Sequence, residues 1–339
     1  MKISVLDQSI IKSGISPWIS IRESLTLAQE CERFGYHRYW LSEHHNTAAV
    51  AGSAPEILAA AIAASTSRIR VGSAGIMLPH YSALKVAEQF RVLEAIAPGR
   101  IDLGLGRAPG SDGRTAFALN PNAARAAENF PAQVRDVMAW SSGAKLPDEH
   151  PFRDVICQPQ GPTSPEIWIL GSSTYGAQLA GYFGLPYCYA HFFADGAGTE
   201  EALDAYRRSF TPSAILAKPH CAIVVMALAA ETLEEAEYWN RSRAVFWAIR
   251  GRGTFVPLPT PEEAENFELT EAERAGMVAA RARALIGAAP EVTARLQQLA
   301  AGLGLDELVI TTAASSPAVR IKSYALFARA FGLTPDISL

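Results

Sequence analysis

Tyr39-Trp40-Leu41-Ser42-Glu43-His44-His45-Asn46 is an apolar run that stops abruptly at a carboxylate and two imidazoles. An extended segment buried at its start and titratable at its end is what an α/β barrel places at the carboxyl end of a core strand. Working outward, short apolar runs alternate with amphipathic stretches along the whole chain. Strands are expected at residues 3–6, 39–41, 69–74, 100–105, 167–170, 186–190, 221–228 and 307–312. Helical patterns fall at 19–34, ending at Gly35, near 54–64, and from about 83 to 96, where Pro98-Gly99 stops the pattern. Further helices are expected at 199–210, 233–250 and 319–331. Strand–helix units repeated this way predict a parallel sheet covered by helices, and eight of them favour a closed (β/α)8 TIM barrel over an open sheet.

Two stretches exceed a minimal barrel, giving insertions after strands 4 and 7. Residues 108–160 carry a Gly-rich loop, a helix near 123–140 and a Pro-rich passage with room for a small hairpin. Residues 251–270 read as a loop before more helix, and long insertions of this kind often serve as lids. The chain, residues 1–339, is read as a single barrel domain.

Bulk composition narrows the function. Hydrophobic residues make up 49% of the 339 positions, enough for a large core, and a net charge of −4 offers no footprint for nucleic acid. No apolar run is long enough to cross a membrane. Cys31, Cys157, Cys188 and Cys221 are scattered with no CxxC pair, as reduced thiols would be. The N-terminus reads as a short strand with no signal-peptide core, so a cytoplasmic protein is expected.

Four constellations could carry chemistry. Histidine gains and loses a proton near neutral pH. Neighbours on an extended segment point opposite ways, so His44 and His45 are not expected to share one task. Two structural histidines remain the plain alternative. A metal site would need three or four convergent ligands; His80, His191 and Asp7 could in principle contribute, with no supporting spacing. Leu170-Gly171-Ser172-Ser173-Thr174-Tyr175-Gly176 lies between a strand and its helix, where hydroxyls and free amides form an anion cup, although either serine could simply cap the helix. A rival cup is Thr311-Thr312-Ala313-Ala314-Ser315-Ser316-Pro317. At Gly104-Leu105-Gly106-Arg107, Arg107 could reach a phosphate or merely sit in a surface salt bridge. Small residues at Gly72-Ser73-Ala74-Gly75 would let a flat ligand lie close to the backbone, or mark a tight corner.

Taken together, 40–45, then 70–79 (Arg-Val-Gly-Ser-Ala-Gly-Ile-Met-Leu-Pro), then 99–107 (Gly-Arg-Ile-Asp-Leu-Gly-Leu-Gly-Arg) resemble the bacterial luciferase-like flavin-dependent monooxygenases, in their single-component, non-luminescent subgroup. The resemblance implies a barrel that binds FMN at the carboxyl ends of its strands. The flavin ring would rest on a bulge at Ala74-Gly75, often joined in this family by a cis peptide. Gly171, Ser172, Ser173 and Tyr175, with Arg107, would hold the phosphate. His44 corresponds to the family's catalytic histidine, with Glu43 beside it.

The implied reaction takes reduced FMN (FMNH2) from a separate NAD(P)H:flavin reductase, adds O2 to give a C4a-peroxyflavin, and inserts one oxygen atom into a small organic substrate. Residues 251–270 would close over it. Gly106 stands where light-emitting luciferases carry a cysteine, which argues against luminescence. His191 and Phe192 are candidate substrate contacts, and equally candidate core. Family members pair as homodimers, and the Ala-rich helix near 54–64 could pack on its own copy. The alternatives are a deazaflavin (F420) hydride-transfer enzyme, a flavin-binding protein without turnover, and a metal-dependent hydrolase.

Overall fold

In a computed structural model that describes residues 1–193, 196–253 and 255–334, eight parallel strands close into a barrel. They are β1 (Lys2–Asp7), β2 (Arg38–Leu41), β3 (Arg70–Met77), β4 (Ile101–Gly106), β5 (Glu166–Gly171), β6 (Tyr187–Tyr189), β7 (Cys221–Ala230) and, after the short β8 (Leu285–Ala288), β9 (Glu307–Thr311). Each strand pairs with the next, and β7–β9 and β9–β1 complete the ring. The eight expected strands are all present, each within a few residues of its expected bounds.

Alternation along these strands separates two cores. Side chains such as Val5, Tyr39, Val71, Leu103, Ile169, Ile223 and Ile310 point outward and pack beneath the helices. Leu6, Trp40, Trp168, Cys188, Ala222, Val224 and Val309 belong to a separate cluster that fills the interior. Trp40 and Trp168 meet edge to face with centroids 5.0 Å apart. In the strand register Gly72 stands beside Trp40 and Gly104 beside Trp168, where β3 and β4 run too close for a side chain. A Cβ on Gly72 would come within 1.9 Å of the Asp102 carbonyl oxygen, so no other residue is possible at that position.

Below the tryptophans the barrel is closed by charge. The buried Arg38 guanidinium bridges Asp102 and Glu307, each at 2.8 Å, and Arg70 and Glu166 complete the layer. Burial opposes ionisation of Glu307, but the Arg38 charge together with hydrogen bonds from His220 and Ser4 outweighs it and holds this carboxyl down at about 2.

The insertions fall where expected, with four differences. The helix expected at 123–140 is split into Ala123–Glu128 and Phe130–Ser142, preceded by Gly113–Leu119; Pro131, which lacks an N–H, restarts the helix after Asn129. The Pro-rich passage before β5 contains no strand, so the hairpin is absent. The segment 251–270 contains a short helix, Pro261–Glu265, opened by a Thr260–Glu263 capping box, while Thr254 lies outside the described residues. β8 was not foreseen; it pairs with Ala227–Ala230, the part of β7 that continues past its pairing with β9. No helix among the described residues is long and apolar enough to cross a membrane.

Candidate active site

At the carboxyl end of the barrel the inward positions become small, and a cleft opens above the tryptophans. Leu6, Gln8, Ser42, Ala74, Gly106, Leu170, Cys188, Ala190 and Val224 form its floor. Its volume is about 290 Å3, and a second chamber of about 630 Å3 adjoins it; Gln8, His44, Gly110, Phe192 and Phe193 line both.

His44 stands at this junction. Its backbone N–H donates to Gly52 O at 2.9 Å, and its Nδ1 lies 3.2 Å from Ser42 Oγ. Nε2 is left without a protein partner among the described residues. Burial, helped by the neighbouring His45 and opposed by Glu43, lowers the His44 pKa below the ordinary histidine value. The imidazole is therefore neutral at pH 7 and able to accept a proton.

Glu43 is buried and fully engaged. Its Oε1 accepts from Tyr81 Oη at 2.7 Å and pairs with His45 Nε2 at 2.8 Å, while Oε2 accepts from Met77 N at 3.0 Å. This carboxylate ties the ends of β2 and β3 together and fixes the backbone that carries His44. The two histidines thus have separate partners: His45 is bound to Glu43, and His44 faces both cavities. Neither joins a metal set; among the described residues no group of three or more His, Cys, Asp or Glu side chains is placed to hold an ion. His80 Nε2 is 2.7 Å from Pro109 O, and Asp7 is bound to Arg320 at 2.8 Å.

Beyond Ser73 the β3–β4 register shifts, and the Ala74–Gly75 peptide is cis. Opposite, Gly171 leads from β5 into the helix Thr174–Phe183. Ser173 holds the N-cap position, yet no side-chain cap bond is made, so the capping alternative fails. The Ser172 and Ser173 hydroxyls and the first amides of that helix face the cleft wall unspent. Tyr187 Oη donates to Ser173 O at 3.2 Å and holds the loop in place.

Arg107 stacks with its guanidinium carbon 4.1 Å from the Tyr175 ring centroid and makes no ion pair among the described residues. The salt-bridge alternative is therefore absent. Hydroxyls, helix amides and an unopposed cation lie together at one end of the cleft, an arrangement with the chemistry to accept an anion. In the rival cup after β9 Thr312 is already engaged: its Oγ1 donates to Ala227 O, its N donates to Tyr324 Oη, and its carbonyl accepts from Arg320, while Ser316 at the N-cap makes no side-chain cap bond.

Of the two candidate substrate contacts, the structure brings only Phe192 to the cavities; His191 Nδ1 is 2.9 Å from Thr199 Oγ1, away from the lining. Reasoning from sequence missed Gln8, Met77 and Tyr81 near the cleft, and Met226, Phe246, Trp247 and Arg250 in the chamber. The last three come from the helix Leu233–Ala248 and the turn Ile249–Arg252, whose inward face depends on how the insertion after β7 folds back.

Comparison with known proteins agrees with this architecture. The family model described as luciferase-like monooxygenase matches residues 1–307. A luciferase-like monooxygenase of Escherichia coli (strain K12) is 38% identical, with 95% of each chain covered. The N-acetyl-S-alkylcysteine monooxygenase of Bacillus subtilis (strain 168) is 35% identical over 97% of this chain and 98% of its own. The crystal structure of apo-MsnO8 superposes with a TM-score of 0.90 at 35% identity, covering 98% of this chain and 99% of that one.

Two more distant structures share the fold. The oxygenating constituent of 3,6-diketocamphane monooxygenase of Pseudomonas putida, in complex with FMN, has a TM-score of 0.68 at 19% identity, with 97% of each chain covered. An F420-dependent secondary alcohol dehydrogenase with an F420-acetone adduct also has a TM-score of 0.68, at 15% identity over 99% of each chain. A barrel with a neutral histidine and an open anion cup at its mouth, and relatives matched along their full length, lead to one assignment: the chain belongs to the luciferase-like monooxygenase family.

Proposed function

We propose that the protein, read as one domain over residues 1–339, is an FMN-dependent monooxygenase that inserts one atom of O2 into a small organic substrate. The observation that carries this reading is the anion cup whose hydroxyls, amides and arginine have no internal use, set beside a cleft bordered by His44. These residues suit FMN. Ser172, Ser173, the helix amides after Gly171 and Arg107 with Tyr175 would hold the phosphate, and Ala74, Gly75 and Gly106 leave the floor flat enough for a ring system.

Reduced FMN, delivered by a separate NAD(P)H:flavin reductase, would supply the two electrons with which one oxygen atom enters the substrate and the other leaves as water. The protein's own part is orientation, exclusion of water and proton handling. His44, kept neutral by burial, accepts a proton at Nε2 and returns it, as a general base and then acid. Glu43 holds the segment in register through Met77, Tyr81 and His45. The adjoining chamber, walled by Phe192, Phe246, Trp247 and Met226, receives the substrate. The Bacillus subtilis relative is named for N-acetyl-S-alkylcysteine, which makes a sulfur-bearing small molecule the first substrate to offer.

A cytoplasmic homodimer completes the reading. Ile57 is 69% exposed on the helix Pro55–Ser65, and Val92 and Ile96 are exposed on the next helix, Ala83–Ile96. Sedimentation at micromolar concentration should give a dimer, and a monomer would remove this part.

The test of the function is anaerobic binding of reduced FMN followed by rapid mixing with oxygenated buffer. A transient absorbance that outlives the reaction of free reduced FMN supports a monooxygenase. FMN binding with neither a transient nor turnover leaves a flavin-binding protein. Failure to bind FMN, with binding of F420 and hydride transfer without oxygen uptake, replaces the reading with the deazaflavin one.

A further inference from the structure

The chamber beside the cleft contains a cation that the protein itself does not use. Arg250 lies in the turn Ile249–Arg252 and lines the 630 Å3 chamber. Its guanidinium carbon is 4.7 Å from the Trp247 ring centroid and 6.0 Å from that of Phe193. Among the described residues Arg250 makes no ion pair, and its guanidinium makes no hydrogen bond. Nearby arginines behave differently. Arg241 pairs with Glu265 at 3.4 Å, Arg252 with Glu273 at 2.7 Å, and Arg281 with Glu237. Among the described residues Arg250 alone of these four has no carboxylate partner.

Among the described residues Asp112 is the one acidic residue in the chamber lining, and its carboxylate accepts from Asn46 Nδ2 at 3.0 Å, Thr115 N at 3.0 Å and Thr115 Oγ1 at 2.7 Å. Much of the remaining wall is apolar: Ile10, Val50, Met226, Phe246 and Leu258. A guanidinium stacked on rings has its faces occupied and its in-plane N–H donors left at the edge, the geometry that meets a carboxylate with two parallel hydrogen bonds. Arg107 on Tyr175 repeats this arrangement in the neighbouring cleft.

We propose that the chamber binds an organic acid, with Arg250 clamping its carboxylate and the aromatic and aliphatic wall holding its apolar body. Arg250 is then the residue that selects charged over neutral substrates. The inference rests on the chamber being the substrate site of the proposed monooxygenase, and it is independent of which flavin occupies the cleft.

The test uses the full chain and paired probes: octanoate, 6-phenylhexanoate and N-acetyl-S-benzylcysteine, each beside its primary amide, titrated by calorimetry. At least one acid is expected to bind about ten-fold more tightly than its amide, the scale of a charge-assisted hydrogen-bonded pair at a partly exposed site. In Arg250→Met that preference should collapse to near unity with amide binding retained, and Arg250→Lys should restore part of it. Arg250 is exposed and unbonded, so both variants should keep the parent melting temperature. Equal binding of acid and amide throughout, an acid affinity unchanged by Arg250→Met, or no acid binding at millimolar concentration would each overturn the proposal. FMN affinity is titrated separately in the same proteins; its absence would refute the cofactor reading and leave the acid-against-amide comparison intact.

Discussion

Replacing Arg107 by Ala should weaken FMN and leave riboflavin alone. Arg107 contributes little to the fold: it has no ion pair among the described residues, and its stacking on Tyr175 at 4.1 Å is worth about 0.5–1 kcal/mol at an exposed site. Its contribution to an anion is larger, since hydrogen bonds to charged groups are worth roughly 1.5–3 kcal/mol. The guanidinium is exposed, so screening favours the lower end of that range, which corresponds to a rise of about ten-fold in the FMN dissociation constant. Flavin fluorescence quenching measures it, with FMN and riboflavin titrated into parent and variant. The FMN constant should rise, the riboflavin constant should hold, and added salt should weaken FMN less in the variant. An unchanged FMN constant would show that the phosphate lies elsewhere. An equal loss for both ligands would show that Arg107 supports the ring or the loop instead.

Three further outcomes are expected. His44→Gln should lower turnover by about 10²- to 10⁴-fold, the usual worth of a positioned acid–base group, with FMN affinity unchanged; the acid limb of the parent's pH profile should fall below pH 6.5, because burial lowers this imidazole's pKa. Glu43→Gln should cost about 1–3 kcal/mol in denaturant unfolding, since one side of the carboxamide would present a donor to the Tyr81 and His45 pair or to Met77 N. Stability should fall as pH drops from 6.5 to 4, because burial and then the Arg38 charge pull His37 down to about 4 and the unfolded chain takes up that proton first; it should fall again below 4.5, as Glu307, held near 2 in the fold, is protonated first in the unfolded chain. His37→Gln should reduce the first of these two losses in a series of thermal melts, leaving the share that comes from His44.

How much of this was legible in the sequence depended on whether the signal was local. The strands and the placement of Gly171-Ser172-Ser173 between a strand and its helix were: each strand is a short apolar run bounded by turn residues, and the loop lies next to the strand it follows. The opposed tasks of His44 and His45 also follow from the alternation of an extended segment. Whether Ser173 caps its helix or stays free was not legible, because it depends on a side-chain rotamer. His191 reads as a plausible lining residue beside Phe192, yet Thr199 draws its ring away, a contact eight residues on that no periodicity announces. The chamber was the least legible part. Trp247 and Arg250 lie three apart, a helical spacing that marks a shared face but not what the face looks onto, and that is set by an insertion of more than seventy residues between β7 and β9.

The division of the barrel interior explains why the cleft lies where it does. β2 and β4 enter the barrel through a polar inward position and run to a small one at or just past their ends. On β2 the inward series is Arg38, Trp40, Ser42; on β4 it is Asp102, Gly104, Gly106. Charge closes one end, where the Arg38 guanidinium bridges the Asp102 and Glu307 carboxylates. Removing one of these groups would strand the others, at a cost of about 3–5 kcal/mol for a buried pair. The tryptophans fill the middle, and Arg38 stacks under Trp168 at 4.8 Å, joining the two layers. At the far end, side chains no larger than Ser, Ala or Gly from β2, β3 and β4 leave volume unfilled, and the cleft is that volume. Stability and binding are thus assigned to opposite ends of the same strands. Under the proposed function, substitutions at Arg107 or Ser173 should therefore change ligand binding without weakening the fold.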